Sequence, residues 1–102
     1  MKSDITPPSG NVFRDIGFSP EEAEHLTVRA DLMIRIHRLI NARKLTQAKA
    51  AALFGVTQPR VSDLVRGKIH LFSIDTLVDM LAHAGMKVRI TTEPARGRRR
   101  VA

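Results

Sequence analysis

The sequence has no cysteine among its 102 residues. This absence excludes disulfide bonds and any metal site built on thiolates, and it is in keeping with a reducing compartment. No run of about 18 apolar residues is present, so we expect no helix that crosses a membrane. The first ten residues, MKSDITPPSG, also lack the apolar stretch of a secretory signal. A chain of this length typically forms one domain with an adequate core, and we expect a cytoplasmic one.

Acidic residues are scarce relative to basic ones. There are 10 Asp and Glu residues and 17 Lys and Arg residues, which gives a net charge of +7 and a pI near 11.1. Such a balance favours a polyanionic partner, either nucleic acid or a membrane surface. Residues 86–102 carry six basic side chains and one acidic side chain. Most of the excess therefore lies at the C-terminus, and charge alone does not locate a binding surface.

The sequence also shows no arrangement of residues typical of a catalytic or metal-binding site. No Ser-His-Asp or paired-carboxylate arrangement stands out. The four histidines do not have metal-ligand spacing and are interpreted as ordinary surface or boundary residues: His25, His37, His70 and His83. We therefore expect a protein that is not an enzyme and that has no metal and no cofactor.

The N-terminal half contains the signals of one long helix. Ser19 is a good N-cap, the following proline suits the first helical position, and Glu22 completes a capping box. Apolar residues recur at helical spacing as far as Arg43, which predicts one long helix or two with a bend. Residues 12–16 could form a preceding helical turn that stops at Gly17.

The C-terminal third predicts one further helix and one strand. Ser73 is placed to cap a helix that Gly85 ends. Residues 86–91, MKVRIT, then alternate strictly between apolar and polar side chains, which is the pattern of a β-strand. Residues 93–102 form a basic tail that we expect to be disordered.

Residues 45–67, LTQAKAAALFGVTQPRVSDLVRG, contain two short segments that each begin with Thr-Gln. Thr46 and Thr57 are well placed as N-caps, so we predict helices over residues 47–54 and 58–66. Between them Gly55 can adopt the left-handed conformation that permits a sharp turn. The two segments share an apolar interior supplied by Ala50, Phe54, Val56, Val61 and Leu64. This is the layout of a helix-turn-helix unit, whose second helix enters the major groove of DNA.

We predict that DNA contacts come from the tips and outer faces of these two helices. Gln58 is the best candidate for a base contact, because its amide can pair with N6 and N7 of adenine. Arg60 could contact guanine, although an exposed arginine more often binds phosphate. Asp63 is expected to pair with Arg60 or Arg66, with an acceptor role toward cytosine N4 as the alternative. The full set of candidates is Gln47, Thr57, Gln58, Pro59, Arg60, Ser62, Arg66 and Lys68.

The 45–67 segment resembles the helix-turn-helix of the lambda-repressor/Cro-like proteins, also called the XRE family. The resemblance is carried by Gln47, Ala51, Gly55, Val56, Val61 and Leu64. Over residues 9–92 the order of segments SGNVFRDIGF, LTQAKAAALFGVTQPRVSDLVRG, FSIDTLVDMLAHAG and KVRI is similar to that of HigA-like antitoxins of bacterial toxin–antitoxin pairs.

The resemblance and the residue patterns together predict an all-α protein of about five helices with one short C-terminal strand. Residues 19–92 would form the DNA-binding domain, residues 1–18 a partly ordered arm, and residues 93–102 the tail. The resemblance implies a transcriptional repressor that binds a double-stranded DNA operator and also neutralises a RelE-like ribonuclease toxin. The alternatives are a stand-alone XRE-type regulator and a helical protein–protein adaptor.

Two surfaces are predicted to contact other chains. Lambda-repressor-like proteins usually bind as dimers, and the strand over residues 87–91 could pair with its copy in a second chain, so that Val88 and Ile90 cover Leu77 and Leu81. The rival is edge pairing with a strand of a toxin. The apolar residues of the N-terminal arm either fold back on the long helix or contact such a partner: Val12, Phe13, Ile16 and Phe18.

Overall fold

The computed structural model describes residues 17–94. Every regular secondary-structure element in this part of the chain is a helix. The elements are α1 (Pro20–Ala42), α2 (Gln47–Phe54), α3 (Gln58–Val65), a 3₁₀ turn (Ile69–Leu71) and α4 (Ile74–His83). The predicted all-α class is confirmed. The predicted turn over residues 12–16, the arm residues Val12, Phe13 and Ile16, and tail residues 95–102 lie outside the described part.

The first helix is unbroken over 23 residues, which decides between one helix and two. Its start is fixed by a reciprocal capping box. The Glu22 amide donates to the Ser19 hydroxyl oxygen at 3.1 Å, and the Ser19 amide donates to a carboxylate oxygen of Glu22 at 3.0 Å. Two of the amides that a helix start leaves unpaired are thus satisfied, an arrangement worth about 1 kcal/mol.

The three shorter helices are each capped by the hydroxyl that the sequence predicts. The amide three residues further on lies 3.1 Å from the hydroxyl oxygen of Thr46, 3.4 Å from that of Thr57 and 3.1 Å from that of Ser73. Because a cap is a contact between close neighbours in the sequence, the residue type alone locates these helix starts well.

All four helices contribute to one apolar core. Its buried members are Met33, Ile36, Ala50, Ala51, Phe54, Val61, Leu64, Phe72, Leu77, Met80 and Leu81. Leu77 and Leu81, predicted above to be covered by a second chain, are already buried by their own chain, at 0% and 2% exposure. They hold α4 against the rest of the domain and leave almost no side-chain surface for a partner.

The segment that follows α4 differs from the prediction. No strand is present within residues 17–94, because a strand requires a paired neighbour and this single chain supplies none. The alternation is nevertheless visible: Met86 and Val88 are half-buried against the core, whereas Lys87 and Arg89 are exposed. Ile90 continues the apolar side of the pattern but is 56% exposed.

Candidate nucleic-acid interface

Helices α2 and α3 form a tight two-helix corner. The small side chains of Ala50 and Ala51 are buried beside Phe54, and Val61 and Leu64 face them from α3. Gly55 ends α2 with φ +70° and ψ +33°, the left-handed conformation that the sequence predicts at this position. The corner is therefore the helix-turn-helix unit that the 45–67 segment predicts.

The turn is closed by a residue from outside the unit. The Nδ1 nitrogen of His83, at the end of α4, lies 2.9 Å from the carbonyl oxygen of Leu53 and donates to it. The imidazole also covers Gly55 so closely that a Cβ atom there would lie 2.8 Å from its Cδ2 atom. Interpreting His83 as an ordinary surface residue misses this contact, since its partner is 30 positions away in the sequence.

The tips and outer face of the corner hold most of the predicted DNA contacts in accessible positions. Gln47 and Gln58 are both exposed at the first residue of their helices, and Pro59 and Arg66 are exposed along α3. Ser62 is half-buried on the same side. This side lies opposite the buried positions of α3, so the helix can present it to a groove about 12 Å wide.

The side chain of Arg60, predicted to contact guanine or phosphate, is engaged by its own chain in the free protein. Its Nη1 atom donates to the carbonyl oxygen of Leu71 at 3.1 Å, and its guanidinium carbon lies 4.2 Å from the centroid of the Phe72 ring. The side chain is half-buried on the flank of α3. In the free protein it therefore joins the second helix of the unit to the 3₁₀ turn.

The predicted partner of Asp63 is also corrected. The carboxylate pairs neither with Arg60 nor with Arg66 but with the ammonium group of Lys68, at 3.5 Å. Gly67 has φ +75° and allows the chain to turn back after α3, so that the Lys68 amide donates to the Asp63 carbonyl oxygen at 3.1 Å. In the free protein, Lys68, which was predicted to bind phosphate, is thus paired with an acidic side chain on α3.

A compact helical domain with such a corner and an exposed first turn on α3 defines a DNA-binding helix-turn-helix protein. Residues 12–93 match the family described as "Helix-turn-helix domain". The match spans most of the chain, and the protein belongs to this family of DNA-binding regulators. A search of the curated proteins gives no match. Within residues 17–94 no helix is long and apolar enough to cross a membrane.

Proposed function

We propose that the protein is a sequence-specific transcriptional repressor whose helix α3 reads base edges in the major groove. The observation that carries the proposal is the position of Gln58, which is exposed at the first residue of α3 and makes no side-chain hydrogen bond or ion pair within residues 17–94. The N-terminal residues of the second helix are the ones that approach base edges in this motif. The helix starts at Gln47 and Gln58 also supply amide groups and a positive dipole end to phosphates.

We further propose that it acts as a dimer on a two-fold operator, because one such unit touches only a few base pairs. Half-sites would then lie about one helical turn apart, roughly 34–36 Å. The segment over residues 87–91 is the candidate interface, since its backbone groups make no backbone hydrogen bond within residues 17–94 and Ile90 is exposed. Self-pairing of this segment would satisfy both its backbone groups and its apolar side.

The finer proposal is that the repressor is the antitoxin of a toxin–antitoxin operon and neutralises a RelE-like ribonuclease. Its support is the resemblance of residues 9–92 to HigA-like antitoxins in segment order. Phe18, the one of the four apolar arm residues that lies within the described part, is 40% exposed beside the start of α1. A stand-alone XRE-type regulator remains the competing function, and the identity of the neighbouring open reading frame distinguishes the two.

The DNA-binding proposal is tested by a gel shift with the duplex upstream of the protein's own gene, and with a scrambled duplex of equal length and composition. We expect tighter binding to the upstream duplex at 150 mM salt, by about 10³-fold or more for a specific regulator. Equal binding to both would leave a non-specific DNA-binding protein, and binding to neither would favour the adaptor hypothesis.

The antitoxin proposal needs a separate experiment. The neighbouring open reading frame is expressed from an inducible promoter, with and without the present protein. Growth arrest that the present protein relieves, together with co-purification of the two chains, is the expected outcome. A neighbour that does not arrest growth, or whose arrest is unaffected, favours the stand-alone regulator.

A further inference from the structure

An acidic side chain lies on the face of α3 that the proposed function turns toward DNA. Asp63 is four residues after Pro59 and three before Arg66, so the three side chains share one side of the helix. This side is opposite the buried Val61 and Leu64. A carboxylate here is unfavourable for a surface that only needs to attract phosphates, and its position requires another explanation.

The end of α3 is built so that this carboxylate is held by a cation. The Gly67 amide donates to the Leu64 carbonyl oxygen at 2.9 Å, and the Lys68 amide donates to the Asp63 carbonyl oxygen at 3.1 Å. These two bonds with a left-handed glycine form a Schellman motif. The motif fixes the backbone of Lys68 beside Asp63, and the side chains then pair at 3.5 Å, with 40% of Lys68 and 27% of Asp63 exposed.

We propose that Asp63 is a specificity-determining residue that accepts a hydrogen bond from the N4 amino group of a cytosine in the major groove. The inference rests on the proposed DNA-binding function. An ionised carboxylate only accepts, and cytosine presents a donor on its major-groove edge. Guanine presents two acceptors there and thymine presents an acceptor and a methyl group, so both disfavour a carboxylate. Adenine is also disfavoured, because its N7 acceptor adjoins its amino group.

The ion pair gives Lys68 a role in the same step. A pair that is this exposed is weak, so a DNA phosphate can replace the carboxylate as partner of the ammonium group. At a matching site Asp63 gains the cytosine amino group when Lys68 moves to the phosphate. At a non-matching site Lys68 also moves to a phosphate, but the Asp63 carboxylate then faces hydrogen-bond acceptors on the base edges. This repulsion lowers the affinity for non-specific DNA. The Asp63 carboxylate therefore favours correct sites over the excess of incorrect ones, whereas the Lys68–phosphate contact is common to both.

The first experiment is selection of binding sites from a pool of duplexes with a randomised central segment. The wild type is compared with Asp63→Asn and Asp63→Ala, and Asp79→Asn, an exposed acidic residue on α4, serves as the control. We expect one position of each half-site to require cytosine with the wild type and with Asp79→Asn. That position should change to adenine with Asp63→Asn, because an amide pairs with N6 and N7 of adenine, and should lose its preference with Asp63→Ala.

The second experiment measures affinity for the selected site and for a scrambled duplex. We expect Asp63→Ala to lower the ratio of the two affinities by about tenfold or more, through weaker specific and stronger non-specific binding. Lys68→Ala should weaken both by similar factors. An unchanged ratio for Asp63→Ala, or the same selected consensus for all four proteins, overturns the proposal. A wild type that enriches no sequence would instead contradict the proposed sequence-specific binding itself.

Discussion

The guanidinium carbon of Arg60 lies 4.2 Å from the centroid of the buried Phe72 ring, and the same side chain donates to the carbonyl oxygen of Leu71. A cation over an aromatic face and a hydrogen bond from a charged donor both stabilise the contact. Arg60 thus fastens the first turn of α3 to the chain that leads into α4. The positive charge of Arg60 is therefore engaged within the domain, whereas that of Arg66, the residue that follows the last turn of α3, is exposed.

This difference predicts that two substitutions, each removing one positive charge, affect different properties: one lowers stability and the other lowers the salt dependence of DNA binding. Arg60→Met should lower the free energy of unfolding by about 1–2 kcal/mol, because it loses the ring contact and the hydrogen bond. It should leave the salt dependence of DNA binding unchanged. Arg66→Met should leave stability within about 0.5 kcal/mol of the parent and lower the log–log salt slope by about 0.9, the value for one phosphate contact. Urea unfolding and DNA titration between 50 and 200 mM salt measure the two quantities. A lower slope for Arg60→Met would mean that Arg60 leaves Phe72 and binds a phosphate in the complex.

The contact of His83 with the turn predicts that two glycines with similar positive φ values, Gly55 and Gly67, differ in their tolerance of a methyl group. Gly67→Ala meets no atom within 4 Å and should cost only the left-handed conformation, about 1–2 kcal/mol. Gly55→Ala should cost about 1–3 kcal/mol more, because its Cβ would lie 2.8 Å from the imidazole. Thermal or urea unfolding of both variants gives the comparison.

A double-mutant cycle shows whether the extra cost comes from the imidazole. In the His83→Ala background Gly55→Ala should cost about as much as Gly67→Ala does in the parent. If the penalty at Gly55 is the same with and without the imidazole, the ring moves aside freely and does not close the turn.

The equivalent positions of Gln47 and Gln58, each the first residue of its helix, provide a matched pair for DNA binding. Gln58→Ala should weaken operator binding by about 1–3 kcal/mol and relax the base preference at one position of each half-site. Gln47→Ala should weaken operator and scrambled duplexes by similar factors, because a phosphate contact carries no sequence information. If Gln58→Ala also weakens both duplexes equally, α3 does not read a base through this residue.

The proposed dimer is tested at Ile90, which the single chain leaves largely exposed. Ile90→Lys should change the stability of one chain by less than about 0.5 kcal/mol and shift the protein toward monomer in sedimentation equilibrium, because the charge would be buried between paired segments. Thr91→Lys, one position further and on the other side of the alternating pattern, is the control and should keep the dimer. A dimer that survives Ile90→Lys would exclude self-pairing of this segment through its apolar side.

The helix starts and the turn were predictable because they depend on residues that are close in the sequence. Ser19, Thr46, Thr57 and Ser73 each cap the helix that follows them, and Gly55 has the positive φ that the turn requires. Capping and turn formation are contacts over three or four positions, for which residue type and spacing are sufficient information.

The contacts that hold α3 in place were not predictable in the same way. Periodicity places Arg60 on the flank of a helix but does not show that the Leu71 carbonyl oxygen lies within 3.1 Å. The partner of Asp63 depended on the Schellman turn at Gly67, which moves Lys68 closer than either arginine. Lys44, which follows α1, has φ +52°. A glycine or asparagine at this position would have indicated a positive φ, whereas a lysine gives no such signal.

Because His83 and the Leu71–Phe72 segment fasten the helix-turn-helix unit from outside it, the unit is a poor candidate for transplantation by itself. A chimaera that moves residues 45–67 into another scaffold would leave behind the imidazole that closes the turn and the ring that receives Arg60. A new DNA specificity is better engineered in the present domain, by varying Gln58, Ser62 and Asp63. The residues that fasten the unit should be kept, namely Gly55, Arg60, Leu71, Phe72 and His83. The stretch that can be recoded is thus a few outward-facing positions on α3.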